Sequence, residues 1–154
     1  MLSHSIRLIG KAFSLNIPGY FENPRNSLVW ECEEIQKLAR GKNIDFIDLD
    51  LCQFGSQWKR STRLMVWGSR GNPQILNKRC HPIQGKCSFS NKRHVFIGTL
   101  TPGVTLTRQT QSHPANFCFH LLQFFGMSGR HPTQPARSIA GHGVWGEGGQ
   151  RGLE

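Results

Sequence analysis

The chain has 154 residues and a formal net charge of +10, a length that suits one domain with a buried core and excludes two full domains. Residues 1–50 hold six Lys and Arg against seven Asp and Glu, whereas residues 51–146 hold twelve basic residues and no acidic one. A surface this basic favours a nucleic-acid partner, with a generally basic proteome or a missing acidic half as the alternatives.

The number of cysteines and the hydropathy of the chain indicate its cellular compartment. Five cysteines, an odd number, in a chain whose first residues lack a clean apolar signal predict reduced thiols. We therefore expect an intracellular protein of the cytoplasm or nucleus. The longest apolar run, residues 116–127, is interrupted by His120 and Gln123 and is too short to cross a bilayer, so no membrane partner is expected.

The periodicity of residues 1–68 predicts alternating helices and strands. Pro24 must end the first strand, because proline has no N–H to give to a ladder, and Ser27 is the expected N-cap of the second helix. The predicted elements are helix 5–15, strand 17–24, helix 27–41, strand 44–52 and strand 63–67.

The signal weakens after residue 68. Residues 70–93 are polar and turn-rich, residues 94–97 form a short strand, and residues 114–125 form a helix that packs its aromatic side chains inward. Residues 126–154 are rich in Gly, Pro, Gln and Arg and should be disordered. The expected division is 1–68 as an α/β core, 69–125 as a basic loop-rich region, and 126–154 as a tail.

The order of elements indicates the α/β class. Strand, helix, strand, loop and strand form the tail end of an α/β sheet, and the last pair is expected to be antiparallel. Glu22 stands where the first strand, predicted to be buried, ends. Ligands of open α/β sheets bind in the crevice outside the strand ends, so Glu22 is a candidate proton donor there. The alternative is a solvated residue that opens a turn.

Two motifs are set aside. Residues 141–146, Gly-His-Gly-Val-Trp-Gly, have the spacing of a dinucleotide-binding loop, but no strand precedes them and no helix follows. Cys52 at a strand end invites a reading as a nucleophile, yet nothing in the sequence supplies an activating base beside it. Buried packing is the favoured interpretation for Cys52.

A metal site is a further candidate. Cys80, Cys87 and His94 follow one another at equal spacing, and adding Cys52 completes three sulfurs and one imidazole, a tetrahedral zinc set. Such a site would clamp a weakly structured loop to the sheet. Scattered free cysteines with a surface histidine are the alternative, since the spacing is looser than in common zinc modules.

Residues 53–68 carry a pattern that resembles a known family. They hold a Phe-Gly pair, a short loop with a glutamine, spaced arginines and an apolar strand that ends in glycine. This segment resembles the one that DNA cytosine-5 methyltransferases carry after their Glu-Asn-Val motif. Glu22-Asn23-Pro24 stands in the matching place upstream, followed by Ser27 and Trp30 as in divergent, virus-like relatives. The resemblance covers residues 5–68.

The resemblance implies roles for individual residues. Such enzymes flip a cytosine out of the duplex, and their Glu contacts the ring nitrogen; here that residue would be Glu22. Asn23 would position the turn. Arg60 and Arg63 would face the same crevice and hold the base and nearby phosphates, with Lys59 adding positive charge.

Departures from the family limit what this chain can do. Family members bind S-adenosylmethionine at a Gly-rich turn and attack cytosine with the Cys of a Pro-Cys-Gln motif. Neither is found here, only twenty-one residues precede Glu22, and Pro24 replaces the usual valine. The Cys52-Gln53 pair lies on the wrong side of Glu22.

The expected protein is therefore a truncated methyltransferase-like chain. It has a partial Rossmann-like sheet and a loop-rich basic C-terminal part, binds no cofactor by itself, and is inactive without a companion chain that supplies the missing half. Whether it is an enzyme stays open. The alternatives are a small zinc-stapled module that binds nucleic acid without catalysis, and a reading frame with no folded product.

Overall fold

A computed structural model describes residues 2–41, 43–69, 71–95 and 112–127 of the chain. The α-helices of these residues are α1 Leu2–Ser14, α2 Glu33–Ala39 and α3 Ala115–Phe124. The strands are β1 Gly19–Pro24, β2 Ile44–Asp50 and β3 Ser61–Trp67. Short 3-10 helices cover Leu28–Glu31, Leu51–Phe54 and Pro73–Ile75.

The three strands form one sheet in the order β1-β3-β2, and both pairs are antiparallel. The antiparallel last pair is therefore confirmed, and the fold is a mixed α/β arrangement. A Rossmann-like sheet is not confirmed. Glu22 lies opposite Leu64 on β3, and Arg63 lies between Asn23 on β1 and Asp48 on β2.

Helices cover both faces of this sheet. On one face α1 and α2 pack against Met65 and Trp67 of the central strand. On the other face α3 packs against Leu64 and Val66 through apolar side chains that are almost fully buried. Because strand residues alternate between the two faces, neighbours along β3 serve different layers. The helix α3 contacts the sheet across the boundary predicted at residue 68.

The first strand occupies an edge rather than the middle of the sheet. Its residues are exposed or half-buried, and the side chain of Tyr20 keeps 39% of its surface. The prediction of a buried strand over residues 17–24 was wrong, since apolar composition does not say which strand lies centrally. Pro24 does stand at the end of the paired segment, as its missing N–H requires.

The predicted helix over residues 27–41 is divided. Ser27 is confirmed as an N-cap, because its hydroxyl accepts the Val29 N–H, but the segment that it caps is the 3-10 turn Leu28–Glu31. Cys32 adopts extended angles, φ −62° and ψ 134°, and α2 begins after it. The break lets Trp30 turn into the core, where its Nε1 donates to the Pro24 carbonyl at 2.9 Å.

The later elements agree in part with expectation. The helix predicted over residues 114–125 is confirmed as α3, with Phe117 and Phe124 buried. His94 and Val95 lie in no strand, and the rest of the strand predicted at residues 94–97 lies outside the described residues. The tail beyond residue 127, with the glycine motif at 141–146, lies outside them too. No helix in the described ranges is long and apolar enough to span a membrane.

Candidate functional site

Glu22 and Arg60 meet in a partly buried ion pair. Arg60 Nη2 donates to Glu22 Oε1 at 2.9 Å, and the two side chains keep only 22% and 15% of their surface. The carboxylate comes from the end of β1 and the guanidinium from the residue before β3. The Arg60 carbonyl accepts the Leu51 N–H at 3.0 Å, which holds its backbone against the start of a 3-10 helix. Two groups 38 residues apart in sequence thus meet in one ion pair.

His113 also faces this carboxylate, and sequence reasoning missed it. Its Nε2 lies 3.4 Å from Glu22 Oε2, and its ring stacks on Phe117 at 5.1 Å between centroids. The Nε2 atom is buried and makes no hydrogen bond within the described residues. The only local signal was a His-Pro pair before an aromatic helix, and spacing alone could not bring that pair to β1.

Arg63 does not take part in this ion pair. Its Nε and Nη2 donate to the two carboxylate oxygens of Asp48 at 2.7 and 3.0 Å. The expectation that Arg60 and Arg63 face the same crevice is corrected for a simple reason: strand residues alternate, so Arg63 shares a face with Asn23 and Asp48, while Glu22 shares the other with Leu64. Asn23 lies directly opposite Arg63 in the β1–β3 register.

Asp48 collects positive charge on that second face. Besides the bidentate bonds from Arg63, its Oδ2 lies 3.3 Å from Arg25 Nε and 3.7 Å from Arg79 Nη1. The hydrogen bonds from Arg63 hold the pKa of Asp48 below its usual value, and the same bonds raise the pKa of Arg63. Both groups are therefore charged at neutral pH.

Lys59 is exposed beside an open cationic depression. The depression measures about 570 Å³ and is lined by Arg25, Asn26, Lys59, Ser61 and Arg63. Every residue of this lining is basic or uncharged and polar, which suits an anionic group such as a phosphate. The nucleic-acid contact predicted for Lys59 stays a prediction.

Three thiols and one imidazole lie close together. The Sγ atoms of Cys52, Cys80 and Cys87 and a ring nitrogen of His94 all lie within 4.8 Å of one another, and the three cysteines are buried. Cys80 Sγ lies 3.8 Å from Cys87 Sγ and 3.7 Å from His94 Nε2. These four are the residues that sequence spacing selected, and together they have the donor set of a metal centre.

The distances fit a tetrahedral ion. With Zn–S bonds of about 2.3 Å, the sulfurs of a zinc tetrahedron lie about 3.8 Å apart. The distance between Cys80 Sγ and Cys87 Sγ, 3.8 Å, has this length. A Cys₃His set closes all four positions, which is typical of a structural site rather than a catalytic one.

The surroundings of the thiols differ. Burial, with the neighbouring thiols of Cys80 and Cys87, raises the pKa of the Cys52 thiol far above its usual range. Burial also acts to raise the pKa of Cys87, but N–H groups of Ser90 and Phe89 that donate to its sulfur lower the value to about 6. A metal-free Cys52 is therefore protonated at neutral pH, which argues against an activated nucleophile.

Polar groups support this cluster from outside. Gln53 Nε2 approaches Cys87 Sγ at 3.8 Å and donates to Ser88 Oγ at 3.1 Å. Between the second and third ligands, Ile83 and Lys86 exchange both backbone hydrogen bonds around a two-residue turn whose residues have positive φ. Hydrogen bonds to metal-bound sulfur and a rigid ligand loop are the usual partners of a metal site.

Asp50 is a buried carboxylate that sequence reasoning did not single out. It accepts hydrogen bonds from Ser61 Oγ, from Arg79 Nε at 3.2 Å and from the Cys80 N–H at 2.8 Å. Although burial acts to raise its pKa, these donors hold it below the usual value. Asp50 thus connects the ends of β2 and β3 to a cysteine of the cluster.

No protein-family model matches this chain, and no curated protein or solved structure matches it either. The functional assignment therefore depends on the geometry of the site and on the sequence motifs.

Proposed function

We propose that this chain contributes the base-binding half of a DNA cytosine-5 methyltransferase-like site. The observation that carries the proposal is the ion pair of Glu22 with Arg60, which brings the Glu-Asn motif and the loop before β3 into contact. These are the two segments that resemble the family. In this proposal a partner chain supplies the cofactor site and the nucleophile, so these 154 residues do not bind S-adenosylmethionine.

The chemistry of the pair suits the edge of a flipped cytosine. Cytosine presents an amino donor at N4 and acceptors at N3 and O2, and a carboxylate beside a guanidinium offers acceptors and donors to match. Arg60 donates to Glu22 Oε1, and Oε2 faces His113; in this proposal Oε2 is the oxygen that would accept from the base. Lys59 and Arg25 line the depression beside Arg63 and would provide positive charge for backbone phosphates bound there.

We further propose zinc as the metal of the Cys52, Cys80, Cys87 and His94 cluster. Thiolates with one imidazole are soft and borderline donors that zinc accepts in tetrahedral geometry. When bound, the ion would link the turn after β2 to residues 80–94 and would carry out no chemistry, because the protein fills all four positions. Loading with Co²⁺ tests this site, since a tetrahedral Cys₃His site gives intense visible absorption that a Cys80→Ser variant should weaken.

A second candidate function is a zinc-stapled module that binds nucleic acid without catalytic ancestry. The buried thiol cluster favours it, because Cys80 and Cys87 are the buried side chains of residues 80–94. The two candidates differ in the role of Glu22. A binding module needs the basic surface only, whereas a base pocket needs the carboxylate as well.

Binding to matched DNA duplexes separates them. One duplex is fully paired and the other carries a mismatched cytosine, which costs less to flip out. We expect the mismatch to bind about tenfold tighter, and Glu22→Gln to remove that preference while leaving the affinity for paired DNA unchanged. Glu33→Gln, on the exposed face of α2, is the control. Equal binding of both duplexes by the wild type would reject the base pocket and favour the binding module.

A second assay tests the partner. Incubation of the purified chain with labelled S-adenosylmethionine and DNA should transfer no methyl group. Transfer by these 154 residues alone would contradict the half-site proposal.

A further inference from the structure

The loop of residues 55–60 carries Lys59 and Arg60, and its two attachments lead to the metal cluster. On one side the 3-10 helix Leu51–Phe54, which contains the ligand Cys52, ends at Gly55. On the other side the Val95 N–H donates to the Gln57 carbonyl at 3.1 Å, and Val95 directly follows the ligand His94. The loop thus lies between two of the four ligands.

A third ligand reaches the end of the same loop through Asp50. The Cys80 N–H donates to Asp50 Oδ2 at 2.8 Å, and Asp50 Oδ1 accepts the hydroxyl of Ser61. Ser61 is the residue after Arg60 and the first of β3. Displacement of Cys80 would therefore disturb the position from which Arg60 reaches Glu22.

Residues 81–95 bury few side chains. Within this segment only Cys87 is buried and His94 half-buried, and the large side chains of Ile83, Phe89 and Val95 are exposed. A segment without an apolar core gains order from metal coordination, as small metal-dependent modules do. His94 directly precedes Val95, so an ion that fixes His94 would also restrict the position from which Val95 donates to Gln57.

We infer that metal occupancy of the Cys52, Cys80, Cys87 and His94 cluster regulates nucleic-acid binding by positioning the loop of residues 55–60. The inference rests on the proposed role of Glu22 and Arg60 as the base pocket. The metal does not contact the nucleic acid; it orders Gln57 through Val95 and Ser61 through Asp50, and so places Arg60. Because linkage is reciprocal, bound DNA must tighten the metal by the same factor.

The direct test varies the connection and leaves the ligands in place. Val95→Pro removes the N–H that Gln57 accepts, whereas Val95→Ala keeps it and serves as the matched control. Both variants should bind Co²⁺ with the wild-type spectrum. Zinc should tighten binding of the mismatched duplex about tenfold in the wild type and in Val95→Ala, and by less than about twofold in Val95→Pro.

Hydrogen exchange gives a readout that needs no DNA. Zinc should slow amide exchange in the peptide over residues 54–62 about tenfold in the wild type but not in Val95→Pro, while residues 80–94 become protected in both. The reciprocal measurement is the zinc affinity with and without the mismatched duplex, which should differ by the same factor as the DNA affinity.

The outcomes separate this inference from the proposed function. If the zinc-loaded wild type binds mismatched and paired DNA equally, the base pocket fails. If the wild type prefers the mismatched duplex equally with and without zinc, and Co²⁺ spectra show that the site can be filled, the regulatory inference is overturned. The base-pocket proposal is unaffected by that result. Protection of residues 80–94 without any change at residues 54–62 overturns it as well.

Discussion

The three-stranded sheet and residues 77–95 are ordered by different physical means. The sheet buries apolar side chains on both faces, with α1 and α2 on one side and α3 on the other. In residues 77–95 the fully buried side chains are Cys80 and Cys87, and most of the remainder faces water. The hydrophobic effect accounts for the first region, whereas the second depends on hydrogen bonds and on a ligand for its thiols. The contrast predicts that the two regions respond to different perturbations.

Removal of the metal should separate the regions most clearly. Structural zinc contributes apparent binding free energies of about 10–16 kcal/mol in small modules, so chelation should abolish the order of residues 80–94. The strands should keep their protection, because their cores contain no ligand. Hydrogen exchange resolved by peptide, before and after chelation, measures both. Equal loss of protection in β3 and in residues 80–94 would show that the two regions are one cooperative structure.

Phe117→Ala should damage the sheet region selectively. Phe117 is fully buried between α3 and the sheet, and truncation of such a ring costs about 3–5 kcal/mol. Phe89→Ala is the matched control, since Phe89 keeps 57% of its surface and its truncation should change stability by less than about 0.5 kcal/mol. Urea unfolding of the metal-loaded protein gives both values. A comparable loss at Phe89 would mean that residues 77–95 have an apolar core after all.

Asp50→Asn should weaken both regions by a smaller amount. The substitution leaves the guanidinium of Arg79 and the Cys80 N–H without their buried carboxylate, at a cost of about 2 kcal/mol. The exposed Asp45, five residues earlier on β2 and on the other face of the sheet, provides the control Asp45→Asn. The free energy of unfolding in urea and the affinity for Co²⁺ should both be lower in Asp50→Asn than in the wild type. An unchanged Co²⁺ affinity would show that Asp50 does not connect the sheet to the cluster.

Lowering the pH should produce the smallest and least specific change in the free energy of unfolding. The pKa of Asp48 is lowered by Arg63, so this carboxylate contributes stability that is present above its unfolded pKa and is lost as the pH falls through its lower folded pKa. The free energy of unfolding should therefore decline below about pH 4, and Asp48→Asn should flatten that decline. Urea unfolding of both proteins at about pH 5 and about pH 3 measures the difference. A parallel decline in the variant would assign the effect to other carboxylates.

The geometry of each candidate residue shows why some predicted positions agree with the structure and others do not. Glu22 and Arg60 form an ion pair, but Arg63 contacts Asp48, because neighbouring residues of β3 face opposite sides of the sheet. The four metal ligands meet although their spacing is loose, since the turn between residues 83 and 86 brings Cys87 back toward Cys80. His113 reaches Glu22 from a segment with no local signal for it.

Local rules that the sequence carries determined the elements themselves. Helical periodicity, the cap at Ser27 and the stop at Pro24 act through backbone hydrogen bonds within a few residues, and for that reason α1, α3 and the three strands were predictable. Only the tertiary structure decided that β3 lies between β1 and β2, that the helical segment breaks at Cys32, and which side chains contact Glu22. Those outcomes depend on how distant apolar faces pack together, and that competition involves the whole chain at once.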